Sequence, residues 1–188
     1  MPCAPPGCYA IGIPPQEHPV TDPRQAELPT VASVDLPRYG GLWYEIARLP
    51  IRQEDRHASN VTADYSLQDD GNVRVVNRCI NDEGRPEEAV AEATATDDSN
   101  ARLKVSFLPE GLRWIPFTKG DYWILRLDED YATSLVGTPD RQYLWLLSRE
   151  PVMEEARKNE WLGFAAAHGF DLAPLIHTPQ DGRPAPAG

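Results

Sequence analysis

Apolar and polar residues alternate with a period of two over one segment after another, the pattern of strands that bury a single face. From Asn60 to Gln68, Val61, Ala63, Tyr65 and Leu67 fall on one side, and Thr62, Asp64, Ser66 and Gln68 on the other. Asp70-Gly71 is a hairpin signal, and Asn72 to Ile80 follows with Val73, Val75, Asn77 and Cys79 on one face. Glu88 to Thr96 puts Ala89, Ala91, Ala93 and Ala95 together; small residues on one face make room inside a barrel. Leu103, Val105 and Phe107 alternate with Arg102, Lys104 and Ser106. Runs at Trp43–Leu49, Gly120–Leu127, Tyr131–Thr138 and Gln142–Arg149 bring the predicted strands to eight. Turn residues at Asn81–Gly84, Asp97–Asn100 and Pro139-Asp140, and a loop through Pro109-Glu110-Gly111, separate them.

The last run, Tyr143-Leu144-Trp145-Leu146-Leu147, is apolar on both faces and needs a cover outside. Met153 to His168 supplies one: it is rich in helix formers, opens on Glu154 and Glu155, and ends at Gly169. The pattern predicts an all-β domain, an eight-stranded up-and-down antiparallel β-barrel with one C-terminal α-helix packed outside. Nine of the nineteen prolines lie within residues 1–37, so residues 1–30 read as a Pro-rich disordered arm. The barrel domain is expected over 31–177 and a flexible tail over 178–188.

Length and charge narrow the function. A chain of 188 residues suits one domain large enough for a core and an interior cavity. With 18 basic and 29 acidic residues the net charge is −11, which disfavours nucleic acid and anionic membrane surfaces. No run of 18 apolar residues exists, and no basic region followed by an apolar one opens the chain. The expectation is therefore a cytosolic protein or a sequence trimmed of its leader. Cys3, Cys8 and Cys79 are odd in number, and their pairing stays open. His18, His57, His168 and His177 share no ligand spacing, so neither a metal nor a cofactor is expected.

The stretch Gly41-Leu42-Trp43-Tyr44-Glu45-Ile46-Ala47-Arg48-Leu49-Pro50 resembles the Gly-x-Trp signature that opens the lipocalin barrel. Tyr65–Leu67, Val75–Arg78, Asp121–Leu125 and Asp140–Arg149 are similar, in order and spacing, to the same family. The likeness is strongest to the bacterial outer-membrane lipoprotein and apolipoprotein D-like subgroup, and it spans about Leu36 to Ile176. It implies binding and transport or storage of a small hydrophobic ligand, a fatty acid or lysophospholipid, without catalysis. It also implies a periplasmic or outer-membrane location. Cys3 would then be a candidate for lipidation, with membrane association through an N-terminal anchor absent from this sequence; monomer and homodimer both stay open.

The resemblance also assigns residues. Gly41, Trp43, Asp128 and Arg149 correspond to structural motifs at the closed end, although the usual Thr-Asp-Tyr is not reproduced around Asp128 and Tyr131. Strand order supports the pairing, because the first and last strands meet on closure and bring Arg149 beside Trp43. A guanidinium over an indole is worth roughly 0.5–2 kcal/mol. Parity turns Tyr65, Val75, Asn77, Leu103, Val105 and Phe107 inward, and the resemblance adds Tyr122 and Trp145 to the ligand-binding set. Two rivals use the same barrel: a lipid-modifying enzyme with Cys79 as nucleophile, and a pigment or tetrapyrrole binder contacted by His57.

Overall fold

The structure, a computed structural model, describes residues 26–51, 56–107, 120–181 and 184–185. Cys3, Cys8, His18, the loop at Pro109-Glu110-Gly111 and most of the arm lie outside these residues, as does the side chain of Phe107.

A short helix, α1 (Leu36–Tyr39), precedes eight barrel strands. These are β1 (Gly41–Arg48), β2 (Ser59–Leu67), β3 (Val73–Ile80), β4 (Pro86–Ala95), β5 (Arg102–Phe107), β6 (Gly120–Leu127), β7 (Thr133–Gly137) and β8 (Leu144–Ser148). Helix α2 (Glu155–Ala167) and a two-residue strand β9 (Ile176–His177) follow. Each strand pairs antiparallel with the next, and β1 closes the sheet by pairing with both β2 and β8. The predicted up-and-down barrel is the observed one. β9 is an addition to it, seated on β1 through Ala47↔His177 and Arg48↔Ile176.

Strand ends move where side chains capture the backbone first. Tyr131, expected to open a strand, takes φ 59° in the turn, and Asp128 Oδ1 accepts the amides of Ala132 and Thr133. β7 therefore starts only at Thr133. Arg141 has φ 60° and Asp140 accepts the Gln142 amide, so β8 starts at Leu144 rather than Gln142. The helix likewise begins two residues after Met153, at Glu155.

Two cores share the sheet. The inner one joins Trp43, Ala63, Tyr65, Val75, Ala91, Ala93, Leu103, Ile124, Val136 and Leu147. The outer one joins Tyr44, Ile46, Leu125, Leu135, Leu144 and Leu146 to Trp161, Leu162 and Ala165 of α2. The helix thus covers the doubly apolar β8, as its sequence requires. Arg126 lies 4.3 Å from the Trp161 ring centroid and pairs with Glu160, fixing the helix over β6. Leu28 is buried in the outer core and the Ala26 carbonyl accepts from Arg141, so the end of the presumed arm lies against the barrel.

The barrel end where β1 begins is closed by α1. Asp35 caps it by accepting the Arg38 amide, and Pro37 sits in its first turn. Val31 and Val34 donate to the Ile124 and Ser99 carbonyls, which lays the preceding segment across the floor.

Candidate functional site: a polar-lined barrel interior

The floor is built on Arg149. Its guanidinium lies 3.9 Å from the Trp43 ring centroid, as strand order predicts. It donates to the carbonyls of Leu42, Gly40, Tyr39, Arg38 and Tyr131. Trp43 Nε1 donates to the Tyr39 carbonyl, tying the same group to α1. Gly41 has φ 86°, a backbone shape that favours glycine, and a Cβ there would meet Arg149 only at an ordinary contact distance of 3.5 Å.

Asp128 and Tyr131 have defined places even though the sequence motif around them is not literal. Asp128 caps the β6–β7 turn and pairs with Arg157 of α2. The Tyr131 hydroxyl accepts the Asp35 amide, and its ring lies 4.1 Å from the Arg38 guanidinium. Floor, turn and helix are therefore one hydrogen-bonded unit.

Above the floor lies a chain of hydroxyls. Tyr122 Oη is 2.9 Å from both Tyr65 Oη and Tyr39 Oη, and Tyr39 Oη is 3.0 Å from Ser134 Oγ. Trp145 stacks on Tyr122 with ring centroids 6.4 Å apart. The structure thus brings Tyr65, Tyr122 and Trp145 together, with Val75 and Val105 in the same inner cluster. Asn77 shares the inward face of β3 through its pairing with Ala63 and Ala89. Phe107 pairs with Ala91 by its backbone. Cys79 is buried apart from this set, with Ala58 and Val61.

Burial divides the inward positions. Trp43, Tyr65, Val75, Leu103, Ile124 and Val136 are sealed. Asn77, Val105, Tyr122 and Trp145 are only partly buried although they face inward. Inward residues that keep accessible surface line space rather than packed core. The β4 alanines Ala89, Ala91 and Ala93 face the same interior but are themselves sealed.

Burial sets the chemistry of the phenols. It pushes the Tyr39 pKa up to about 12, against weaker opposing effects from Ser134, Tyr122 and Arg149. Tyr65 is raised further and Tyr122 is held well above the ordinary phenol value, both mainly by burial and then by neighbouring phenols. All three are neutral hydrogen-bonding groups near neutrality. Tyrosines of an unfolded chain titrate near 10, so the native state holds these protons to higher pH. Their stabilisation is whole below about pH 10 and is lost as pH rises through the native values. Each such phenol steepens the loss by about 1.4 kcal/mol per pH unit. In a phenolate absorbance titration these three should ionise only as circular dichroism reports unfolding. Seven tyrosines titrating near pH 10 with the barrel intact would contradict this.

Sequence reasoning missed a buried ion pair. Arg48 Nη1 is 2.8 Å from Glu45 Oε1, and Arg48 has no exposed surface. Strict alternation from Trp43 turns Glu45 inward but Arg48 outward. The β1–β8 register slips between Glu45 and Ala47, so that Glu45 opposes Leu147 and Arg48 opposes Trp145, both on the inward face. Tyr39 and Ser134 were missed as well. The Asp35–Pro37 helix start was a readable signal for Tyr39; Ser134 had none.

Among the described residues no cluster of metal-ligating side chains occurs. No helix among them is long and apolar enough to cross a membrane.

Known proteins place this architecture. The chain is 38% identical to temperature-induced lipocalin-1 of Arabidopsis thaliana over 161 residues, 84% of this chain and 86% of that one. It is 42% identical to the outer membrane lipoprotein Blc of Escherichia coli K12 over 154 residues, 81% of this chain and 82% of that one. Mouse apolipoprotein D is 28% identical over 159 residues, 81% of this chain and 80% of that one. The family model for a lipocalin-like domain matches residues 34–180, from the floor segment through β9 and just beyond. An agreement that long makes this chain a member of the lipocalin family, whose members bind small hydrophobic ligands.

Proposed function

We propose that this chain carries a single-chain lipid, a fatty acid or a lysophospholipid, inside the barrel and leaves it chemically unchanged. The observation that carries the reading is the partial burial of Asn77, Val105, Tyr122 and Trp145 on inward faces. With Tyr65, Val75 and Phe107 they form the proposed lining. Aromatic faces and Val side chains suit an acyl chain, while Asn77 and the phenols offer polar handles.

The driving force is burial of the acyl chain at roughly 0.8 kcal/mol per methylene. Ordering and association costs remove much of it, leaving on the order of −8 to −12 kcal/mol, or micromolar to nanomolar affinity. The likeness to outer membrane lipoproteins supports a periplasmic or outer-membrane site of action.

Native mass spectrometry of the protein as purified tests the reading. The expected result is a mass increment equal to one lipid per chain, released intact on denaturation. A ligand-free protein that also fails to bind added fatty acid or lysophospholipid would overturn it.

A further inference from the structure

We propose that the segment Ile176–Asp181 is a removable stave in the barrel wall, and that its release opens a side entrance to the interior. The proposal rests on the lipid-carrier reading above.

β1 and β2 pair only from Gly41↔Tyr65 to Tyr44↔Thr62. Beyond Tyr44 no register between them continues, and the segment after α2 occupies the place between. β9 pairs with Ala47 and Arg48 on the β1 side. The Thr178 amide donates to the Ile46 carbonyl. On the β2 side, the Asn60 amide donates to the Pro179 carbonyl and the Asp181 amide to Asn60 Oδ1. Gln180 Nε2 reaches both edges, donating to the Glu45 and Val61 carbonyls at 2.9 Å each. This stretch of wall is held by a separate segment rather than by a neighbouring barrel strand.

The seam is also imperfectly satisfied. Asn60 takes φ 51°, a left-handed conformation that asparagine adopts more readily than most residues with a side chain. Buried Gln180 Oε1 and Thr62 Oγ1 have no hydrogen-bond partner. Each such atom lowers the free energy needed to open the wall there. One bond ties the stave to the interior: Thr178 Oγ1 donates to the Glu45 carboxylate that also holds Arg48. Release would uncover that pair and connect the cavity to the outside without disturbing the floor or α2.

Two measurements on the full-length protein decide this. First, hydrogen exchange: the Asn60 and Thr178 amides should exchange at least about tenfold faster than the β3–β4 ladder. Exchange of all these amides at one common rate would show that the seam opens only on global unfolding and would overturn the proposal. Second, stopped-flow binding of cis-parinaric acid to Thr178→Val and Gln180→Ala. Entry and release rates should rise together about tenfold, with Kd within about twofold, because a gate changes both rates alike. Unchanged rates, or a change confined to release, would overturn the gate while leaving the carrier reading intact. Failure of the wild-type protein to bind the probe would overturn the carrier reading and the gate with it, even if the seam amides exchange fast.

Discussion

Replacing Glu45 by alanine should destabilise the barrel by about 3–5 kcal/mol, the usual effect of removing one member of a buried ion pair. Arg48 is wholly buried, and the carboxylate stands 2.8 Å from its Nη1. Glu45 also accepts from Thr178, so the same substitution weakens the seam where Ile176–Asp181 joins β1. The pair is not thereby a net source of stability. Both groups had to leave water, and a well-packed apolar replacement of both often performs as well. The double variant Glu45→Met/Arg48→Met should therefore recover most of the loss. A double-mutant cycle by urea unfolding measures this: strong coupling is expected, and additive losses would show that the two side chains do not act as a unit.

Arg149→Met is the second large effect, at about 2–4 kcal/mol. Methionine keeps much of the aliphatic volume but removes the charge over Trp43 and five donations to backbone carbonyls. The cation–π contact contributes roughly 0.5–2 kcal/mol, and carbonyls left without a donor at a half-buried site contribute the rest. Arg149→Lys should restore little, because one ammonium cannot span carbonyls arranged around a planar fork. Thermal unfolding followed by tryptophan fluorescence reports the change directly, since Trp43 is the ring under the guanidinium. A variant with wild-type stability would mean that α1 alone closes the floor.

The barrel was legible because period-two alternation leaves a plain record when a strand has one wet face. β2, β3 and β4 show this most clearly, and their inward residues were read correctly through Tyr65, Val75 and Ala91. The Trp43–Arg149 pair came from the resemblance, and strand order supported their contact. What alternation cannot carry is a change of phase. The slip at Ile46 and Ala47 in β1 sends Arg48 inward, and no residue type marks it: both positions are apolar and both join the outer core. Turn chemistry explains the shortened strands, where Asp128 and Asp140 accept amides that a longer ladder would have used. Residues 178–181 hid their contacts for a related reason. A segment of Thr, Pro and Gln has no apolar period, so it read as a tail from Thr178, yet its bonds run into the gap between β1 and β2. The tyrosine chain was half legible. Tyr65 and Tyr122 came from parity and resemblance, whereas Tyr39 sits outside every strand and shows its role only once α1 is seen folded beneath the barrel.

A hollow interior is what the proposed function requires, and a cavity-filling substitution tests it most directly. Val105 stands on the inward face of β5 and keeps accessible surface there. With space beside it, Val105→Phe should keep stability within about 1 kcal/mol of wild type, whereas overpacking a filled core typically costs about 1–3 kcal/mol or more. The same variant should bind cis-parinaric acid at least about tenfold more weakly, because the ring takes the volume of several methylenes. Loss of affinity at preserved stability is the predicted result; a destabilised variant that binds the probe as tightly as wild type would contradict it.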